Sequence, residues 1–136
     1  MNFELHPSLV NKTVVAVLPL SLVLLQDEAN FPWLILVPQR IGVRKIMDLS
    51  AGDQQQLIIE LDKAQRVLEE HYNPTHINVA AIGNKVPQLH VHVIARFAND
   101  PAWPSTAWDY PERTPYAPEQ KQHILEALKA KLLLQD

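Results

Sequence analysis

The chain contains no cysteine, which excludes disulfide bonds, thiolate catalysis and a zinc site built on cysteine, but is compatible with any cellular compartment. It also lacks an excess of basic residues, because its formal net charge is -3 at pH 7 and its pI is about 6.0. Without a cluster of Lys or Arg, we expect no binding to long nucleic acids or to anionic membranes. A small molecule that needs only a few local donors is still compatible with this charge.

Long apolar runs are missing as well. The most apolar stretches, residues 14–25 and 33–37, are short and are broken by Pro19 and Pro32, whereas a membrane-spanning helix needs about 20 consecutive apolar residues. The first residues, Met-Asn-Phe-Glu-Leu-His-Pro, do not have the pattern of a signal peptide. We therefore expect no membrane segment and a cytoplasmic location.

The 136 residues, of which 47% are hydrophobic and 20% charged, suit one globular domain without internal repeats. Aliphatic and β-branched runs predict strands at residues 13–18, 20–25, 33–37, 76–82 and 89–97. Ser50 is a favourable N-cap for an amphipathic helix that ends near His71, and Pro118 suits the first turn of a C-terminal helix over residues 118–134. This order predicts an α+β fold with a mainly antiparallel sheet.

Residues 88–96 read Gln-Leu-His-Val-His-Val-Ile-Ala-Arg. Because a strand has a side-chain period of two, Gln88, His90 and His92 are expected on one face. Three polar groups in an otherwise apolar strand are costly to bury without partners, so this row indicates a site. Two alternatives stay open, since the histidines can be core residues with internal partners or metal ligands. A metal would need a third ligand, and no cysteine or His-x-x-x-His motif accompanies the pair.

The longer stretch from Asn78 to Ile94 resembles the signature of the histidine-triad nucleotide hydrolases and transferases. In that signature an asparagine and a short Gly-rich turn precede His-x-His-x-His. Residues 33–38, Trp-Leu-Ile-Leu-Val-Pro, are similar to the family's His-apolar-apolar-Val-x-Pro strand. Asp48-Leu49 matches its pre-helix segment, and Trp103-Pro104 matches a Trp-Pro pair of one branch. The resemblance covers about residues 18–104 and implies a histidine-triad type of fold.

The resemblance also implies a chemistry. His90 matches the nucleophile that attacks the α-phosphate of a nucleotide conjugate and forms a nucleotidyl-histidine, which water or another acceptor then resolves. A histidine side chain has a reference pKa of about 6.5, so the neutral imidazole that acts as the nucleophile predominates near pH 7. Its other ring nitrogen would donate to the backbone carbonyl of Gln88, and His92 would orient the site or bind phosphate. The resemblance implies neither a metal nor a cofactor.

Other positions match residues that contact substrate in the family. Asn78 matches an asparagine near the phosphate and the leaving group, and Asn84 and Lys85 lie in the turn before the triad. Gln26 and Asp27 lie near the position that contacts ribose. Lys85 can also be a solvated turn lysine, and Asp27 can simply form a turn.

Two positions depart from the family pattern. Gln88 replaces the first histidine of the triad, and an amide cannot carry a positive charge or act as an acid. Trp33 stands where several relatives have another histidine, where it can stack on a base or, as we expect, belong to the core. The departure at Gln88 makes a second function credible, a nucleotide-binding regulatory module with weak or no turnover.

The segment from Asn99 to Pro118 contains five prolines and two tryptophans and is predicted to be an ordered loop. Relatives are typically homodimers, and their Trp-Pro element can reach the partner's site. We therefore place Trp103 among the substrate-binding candidates and expect a homodimer. The alternative is a loop that only covers the sheet and contacts the C-terminal helix.

Overall fold

Five antiparallel strands form a single sheet in the computed structural model, which describes residues 2–134. The strands are β1 (Thr13–Val17), β2 (Ser21–Leu25), β3 (Trp33–Pro38), β4 (His76–Ala80) and β5 (Val91–Arg96). Their spatial order is β1-β2-β3-β5-β4, and every neighbouring pair is antiparallel. The predicted α+β fold with about five strands is therefore confirmed.

All five predicted strands are present, with ends that differ by one or two residues. β5 begins at Val91 rather than Leu89, because the Leu89 amide donates to the Val43 carbonyl in a loop instead of joining the strand ladder. β3 includes Pro38, which was expected to stop it. Pro38 is the last residue of the strand, where the missing N–H of a proline is tolerated.

Two helices cover one face of the sheet. α1 (Ala51–Tyr72) begins at the predicted cap, where Ser50 Oγ accepts from the Asp53 amide at 3.1 Å, and ends at Asn73 in the left-handed conformation. α2 (Pro118–Leu132) begins with a proline at the first turn and ends two residues before the predicted limit. The buried side chains of both helices pack with one face of the sheet, and the core there includes Leu34, Leu36, Leu57, Leu61, Leu68, Val91, Val93, Ile124, Leu128 and Leu132.

The opposite face of the sheet is covered by irregular chain. Its buried core includes Trp33, Ile35 and Ile94 from the strands, together with Leu9 from the N-terminal segment and Ala107 from the loop after β5. This face of the sheet is therefore covered by the N-terminal segment, residues 2–12, and by the loop after β5, whereas α1 and α2 cover the other face. The candidate site lies on the face covered by irregular chain. Within residues 2–134, no helix combines the length and the apolar character that crossing a membrane requires.

A buried ion pair organises the loop after β5. The Arg96 Nε atom lies 2.8 Å from Asp100 Oδ2, and both side chains are almost fully buried. Arg96 Nη2 donates to the Ser105 carbonyl, and Asp100 accepts from the amides of Phe97 and Trp103. Fully partnered buried charges of this kind hold a loop in one conformation, since a displaced loop would leave a charge unpaired.

Candidate functional site

His90 and His92 lie side by side on the face of the sheet that the helices leave uncovered. His92 is on β5, opposite Ile35 of β3 and Ala80 of β4, and His90 comes just before the strand begins. Both are buried, with 8% and 9% of their surface exposed, and their ring centroids are 5.1 Å apart. The sheet thus holds the two imidazoles in fixed and adjacent positions.

The backbone determines which ring nitrogen of His90 carries the proton. Its Nδ1 atom lies 2.7 Å from the Gln88 carbonyl oxygen. A carbonyl oxygen can only accept, so this hydrogen bond assigns the proton to Nδ1 and leaves the Nε2 lone pair free. His90 is therefore arranged as a nucleophile or as a base through Nε2.

Trp33 gives His92 the opposite arrangement. The indole Nε1–H of Trp33 donates to His92 Nδ1 at 2.9 Å. An indole can only donate, so His92 Nδ1 is the acceptor and its Nε2 carries the proton. Burial, together with smaller effects of the neighbouring His90 and Lys12, lowers the pKa of His92 to about 4. His92 is thus a neutral donor at pH 7.

A cleft of about 230 Å³ opens next to the two histidines. Trp33 and Trp108 line it and pack edge to face against each other, with ring centroids 5.1 Å apart. Lys12 and Gln26 border the cleft next to the start of β1 and the end of β2. The lining residues that the structure describes include two imidazoles and two cations, Lys12 and Arg113, and no carboxylate. The exposed part of the Trp108 indole, the hydrogen-bond donors and the positive charge suit a planar group that carries an anion.

The predicted residues Asn84, Lys85 and Gln26 lie around the histidines. Asn84 and Lys85 line an adjoining cleft of about 340 Å³ with His90, His92 and Trp108. Gln26 borders the first cleft and accepts a hydrogen bond from Lys12 Nζ at 2.6 Å. The structure therefore brings these three predicted residues next to the two histidines.

The Gln88 side chain is engaged elsewhere. Its Oε1 accepts from the His6 amide and its Nε2 donates to the Glu4 carbonyl, both at 2.8 Å. Its exposed edge borders a separate cavity with Asn2 and Ile41. The first triad position therefore contacts the site through its backbone, while its side chain fastens the N-terminal segment.

Asn78 and Trp103 belong to the surroundings of Arg96. Asn78 Oδ1 accepts from Arg96 Nη1 at 3.0 Å, and the Trp103 ring lies 5.8 Å from the Arg96 guanidinium. Neither residue lines the clefts beside the histidines. The aromatic residue that the loop brings to the clefts is Trp108, whose ring centroid is 4.9 Å from that of His92.

Asp27 lies in a neighbouring cavity. Its Oδ1 accepts from the Tyr116 amide at 2.9 Å, and its Oδ2 is 3.9 Å from Lys121 Nζ. Lys12 and Gln26 form the wall between this cavity and the cleft of the histidines. Asp27 therefore connects the loop before α2 to the end of β2.

Sequence reasoning missed Lys12 and Arg113 and did not place Trp108 at the site. The register of the first hairpin could have identified Lys12, because Thr13 pairs with Leu25 and the residues just beyond them are Lys12 and Gln26. Arg113 carries no comparable signal, since it reaches the site from the loop after β5. Across residues 2–134, no three His, Cys, Asp or Glu side chains are grouped in a way that could hold a metal ion.

Comparisons with known proteins agree with this geometry. The family model of the HIT domain matches residues 9–99. The structure of a histidine triad protein from Bradyrhizobium japonicum is similar with a TM-score of 0.94 and 39% identity, over 97% of this chain and 99% of that one. A histidine triad protein from Marinobacter aquaeolei gives a TM-score of 0.92 and 37% identity, over 97% of both chains.

A longer relative matches over part of its length. The nitrilase and fragile histidine triad fusion protein NitFhit of Caenorhabditis elegans is 31% identical over an alignment of 71 residues, and the match covers 48% of this chain and 16% of that protein. The family model, by contrast, covers more than half of this chain, and the two bacterial structures match it over nearly their whole length. The chain therefore belongs to the HIT domain family.

Proposed function

We propose that the protein hydrolyses or transfers nucleotide conjugates at the α-phosphate through a nucleotidyl-histidine intermediate on His90. The observation that carries this proposal is the 2.7 Å contact between His90 Nδ1 and the Gln88 carbonyl, which leaves Nε2 as a free nucleophile beside the cleft. Membership of the HIT domain family supports a hydrolase or transferase that handles nucleotides. Substrate classes compatible with the cleft include nucleoside phosphoramidates and dinucleoside polyphosphates.

The reaction would proceed in two displacements. The Nε2 lone pair of His90 attacks the α-phosphorus, a nitrogen–phosphorus bond forms, and the bond to the leaving group breaks with its electron pair on the leaving group. Water or another acceptor then attacks the same phosphorus, and the nitrogen–phosphorus bond breaks to restore Nε2. The Nε2–H of His92 would donate to a non-bridging phosphate oxygen in both steps.

Gln88 would restrict the leaving group. Its amide cannot supply a proton, and its Nε2 already donates to the Glu4 carbonyl. A leaving group that is stable as an anion, such as a nucleoside phosphate, would therefore depart more readily than an alkoxide. This chemistry favours dinucleoside polyphosphates among the candidate substrates.

The test is to incubate the protein with adenosine phosphoramidate, dinucleoside polyphosphates and nucleotide sugars and to measure the mass of the intact chain. We expect a mass increase of one nucleotidyl group, which His90→Ala abolishes together with turnover. His76→Ala, which changes an exposed histidine on β4, is the matched control and should behave as the wild type. Turnover that survives His90→Ala would contradict the assigned nucleophile.

The second candidate function is a nucleotide-binding regulatory module. The engagement of the Gln88 side chain by the N-terminal segment favours it, because no side chain at the first triad position is left to assist the leaving group. Nucleotide binding without adduct or turnover for any substrate in the same experiment would select this function over the enzyme.

We also infer that two copies associate through the β4 edge of the sheet. β4 pairs only with β5 within residues 2–134, and Val79 on it is 42% exposed. An unpaired strand edge with exposed apolar residues is a ready site for pairing with a second copy. Light scattering should give twice the chain mass, and Val79→Lys should reduce it to that of one chain; a monomeric wild type would contradict the inference.

A further inference from the structure

We propose that Lys12 is the cation that binds the phosphate of the substrate and that it supplies the positive charge which Gln88 cannot provide. This inference deepens the proposed function and rests on it. It assigns a substrate-binding role to a residue outside the triad segment. The class of ligand is a phosphate ester or anhydride with its non-bridging oxygens directed at the Lys12 ammonium.

The position of Lys12 is the first support. Its half-buried side chain borders the same cleft as His90 and His92. The ammonium donates to Gln26 Oε1 at 2.6 Å. Since an ammonium group has three N–H donors, two are left for a ligand. Gln26 thus directs the side chain without neutralising it.

The charge of Lys12 is the second support. Among residues 2–134, no carboxylate lies within ion-pair distance of its Nζ atom. Partial burial without a counter-ion lowers its pKa, because the charged form has lost hydration. An anion in the cleft would restore the missing partner and stabilise the charged form.

The second cation that lines this cleft, Arg113, and the lysine of the neighbouring cavity, Lys121, already have partners. Arg113 lies 3.5 Å from Glu28 and donates to the carbonyl oxygens of Tyr110 and Ala107. Lys121 faces Asp27 across the neighbouring cavity. Lys85 lines the adjoining cleft rather than this one. Of the two cations in the cleft itself, Lys12 is therefore the one whose charge is available to a ligand.

Gln88 contributes by fastening the segment that carries Lys12. Its two side-chain hydrogen bonds hold the backbone at Glu4 and His6. A tight turn follows, in which the Leu9 amide donates to the His6 carbonyl and the Lys12 amide donates to the Leu9 carbonyl. Leu9 is buried against the sheet. Gln88 is thus a positioning residue for a cation that comes from the other end of the chain.

The test compares Lys12→Met with Lys12→Arg and with the exposed control Lys129→Met. Calorimetric titrations use AMP, uncharged adenosine and inorganic pyrophosphate. We expect Lys12→Met to weaken AMP binding about 10- to 100-fold, as the loss of a charge-assisted hydrogen bond implies, and to leave adenosine unchanged. Lys12→Arg should restore most of the affinity, and Lys129→Met should match the wild type. Pyrophosphate should follow the same order as AMP.

The outcomes separate this inference from the proposed function. Equal AMP affinity in the wild type and Lys12→Met overturns the role of Lys12, even where the His90 adduct forms normally. Loss of AMP and adenosine binding to the same extent overturns it too, because a specific phosphate contact spares adenosine. Lysine-dependent pyrophosphate binding with neither a nucleotidyl adduct nor turnover supports Lys12 as an anion-binding residue and overturns the proposed enzyme. Absence of phosphate binding in the wild type overturns both.

Discussion

The indole nitrogen of Trp33 donates a 2.9 Å hydrogen bond to Nδ1 of His92. The same imidazole is 5.1 Å, between centroids, from the ring of His90, whose Nδ1 is engaged with a backbone carbonyl. One histidine therefore exposes a lone pair at Nε2 and the other a proton at Nε2. A tryptophan and a peptide group assign complementary roles to two chemically identical side chains.

Replacing Trp33 by Phe should release His92 from its tautomer. The variant keeps an aromatic ring in the core but removes the donor to Nδ1, so we expect a mixture of tautomers and a pKa of His92 above its present value of about 4. Nitrogen-15 NMR of labelled histidine measures both. Trp108→Phe is the matched control, because Trp108 contacts the same ring and has no hydrogen bond to it. An unchanged Nδ1 signal in Trp33→Phe would refute the assignment.

The low pKa of His92 should make stability depend on pH. The unfolded chain has an ordinary histidine pKa of about 6.5, so between pH 6.5 and 4 the unfolded state binds a proton that the folded state excludes. The stability that comes from keeping His92 neutral in the fold is fully present above pH 6.5 and is lost as the pH falls toward 4. The total loss is about 3 kcal/mol in the free energy of unfolding.

Urea unfolding from pH 7 to pH 4 measures this dependence. In the variant His92→Asn, the free energy of unfolding should fall less steeply between pH 6.5 and pH 4, because the part due to His92 is missing. The variant should also be less stable than the wild type at pH 7. Equal slopes in the wild type and the variant over this range would show that His92 does not cause the effect.

Replacing Arg96 by Met should destabilise the fold strongly. The change leaves the buried Asp100 carboxylate unpaired and removes the donors to Asn78 and Ser105, so we expect a loss of about 3–5 kcal/mol in the free energy of unfolding. The exposed pair of Asp62 and Arg66 has the same spacing of four residues, and Arg66→Met should cost at most about 1 kcal/mol. Chemical denaturation compares the two variants, and similar losses would contradict the role of burial.

Gln88→Ala should loosen the N-terminal segment. The His6 amide loses its acceptor and the Glu4 carbonyl loses its donor, so we expect faster exchange of the His6 amide, by about fivefold for a hydrogen bond worth about 1 kcal/mol. Hydrogen exchange followed by NMR gives this rate. Gln122→Ala on the exposed side of α2 serves as the control, and equal protection of His6 in both variants would argue against the anchor.

The rate of turnover should depend steeply on the leaving group. Because Gln88 cannot donate a proton, adenylyl esters of acidic phenols and phosphates should react faster than esters of simple alcohols. A series of phenyl adenylates of increasing phenol pKa measures the dependence as the slope of log kcat/KM. If log kcat/KM did not change with the phenol pKa, and binding were shown not to limit adduct formation, another group would have to protonate the leaving group.

Local sequence patterns predicted the strands and helices because each pattern reflects the local packing. The β-branched runs became strands, and Ser50 and Asn73-Pro74 limited α1 as expected. The family resemblance gave the position of His90 and its contact with the Gln88 carbonyl. Trp33 is buried in the core as predicted, at 2% exposure.

Local sequence patterns could not predict which side chains that are distant in the sequence contact each other in the fold. The contact of Trp33 with His92 depends on the register between β3 and β5, which the sequence does not specify. Asn78 shares a sheet face with the histidines, but the nearby Arg96 engages its oxygen. The side chain of Gln88 meets residues more than 80 positions earlier in the chain. Such pairings depend on which loops cover the sheet.

The cover of irregular chain over one sheet face has a thermodynamic consequence. Lys12, His90 and Trp108 reach the cleft from distant parts of the sequence, so the cleft exists only when the N-terminal segment and the loop after β5 have both docked. A partly folded chain would have no complete binding site. Ligand binding should therefore be coupled to the last docking steps, and a ligand at 100 times its dissociation constant would add about 2.7 kcal/mol to the stability of the fully assembled state.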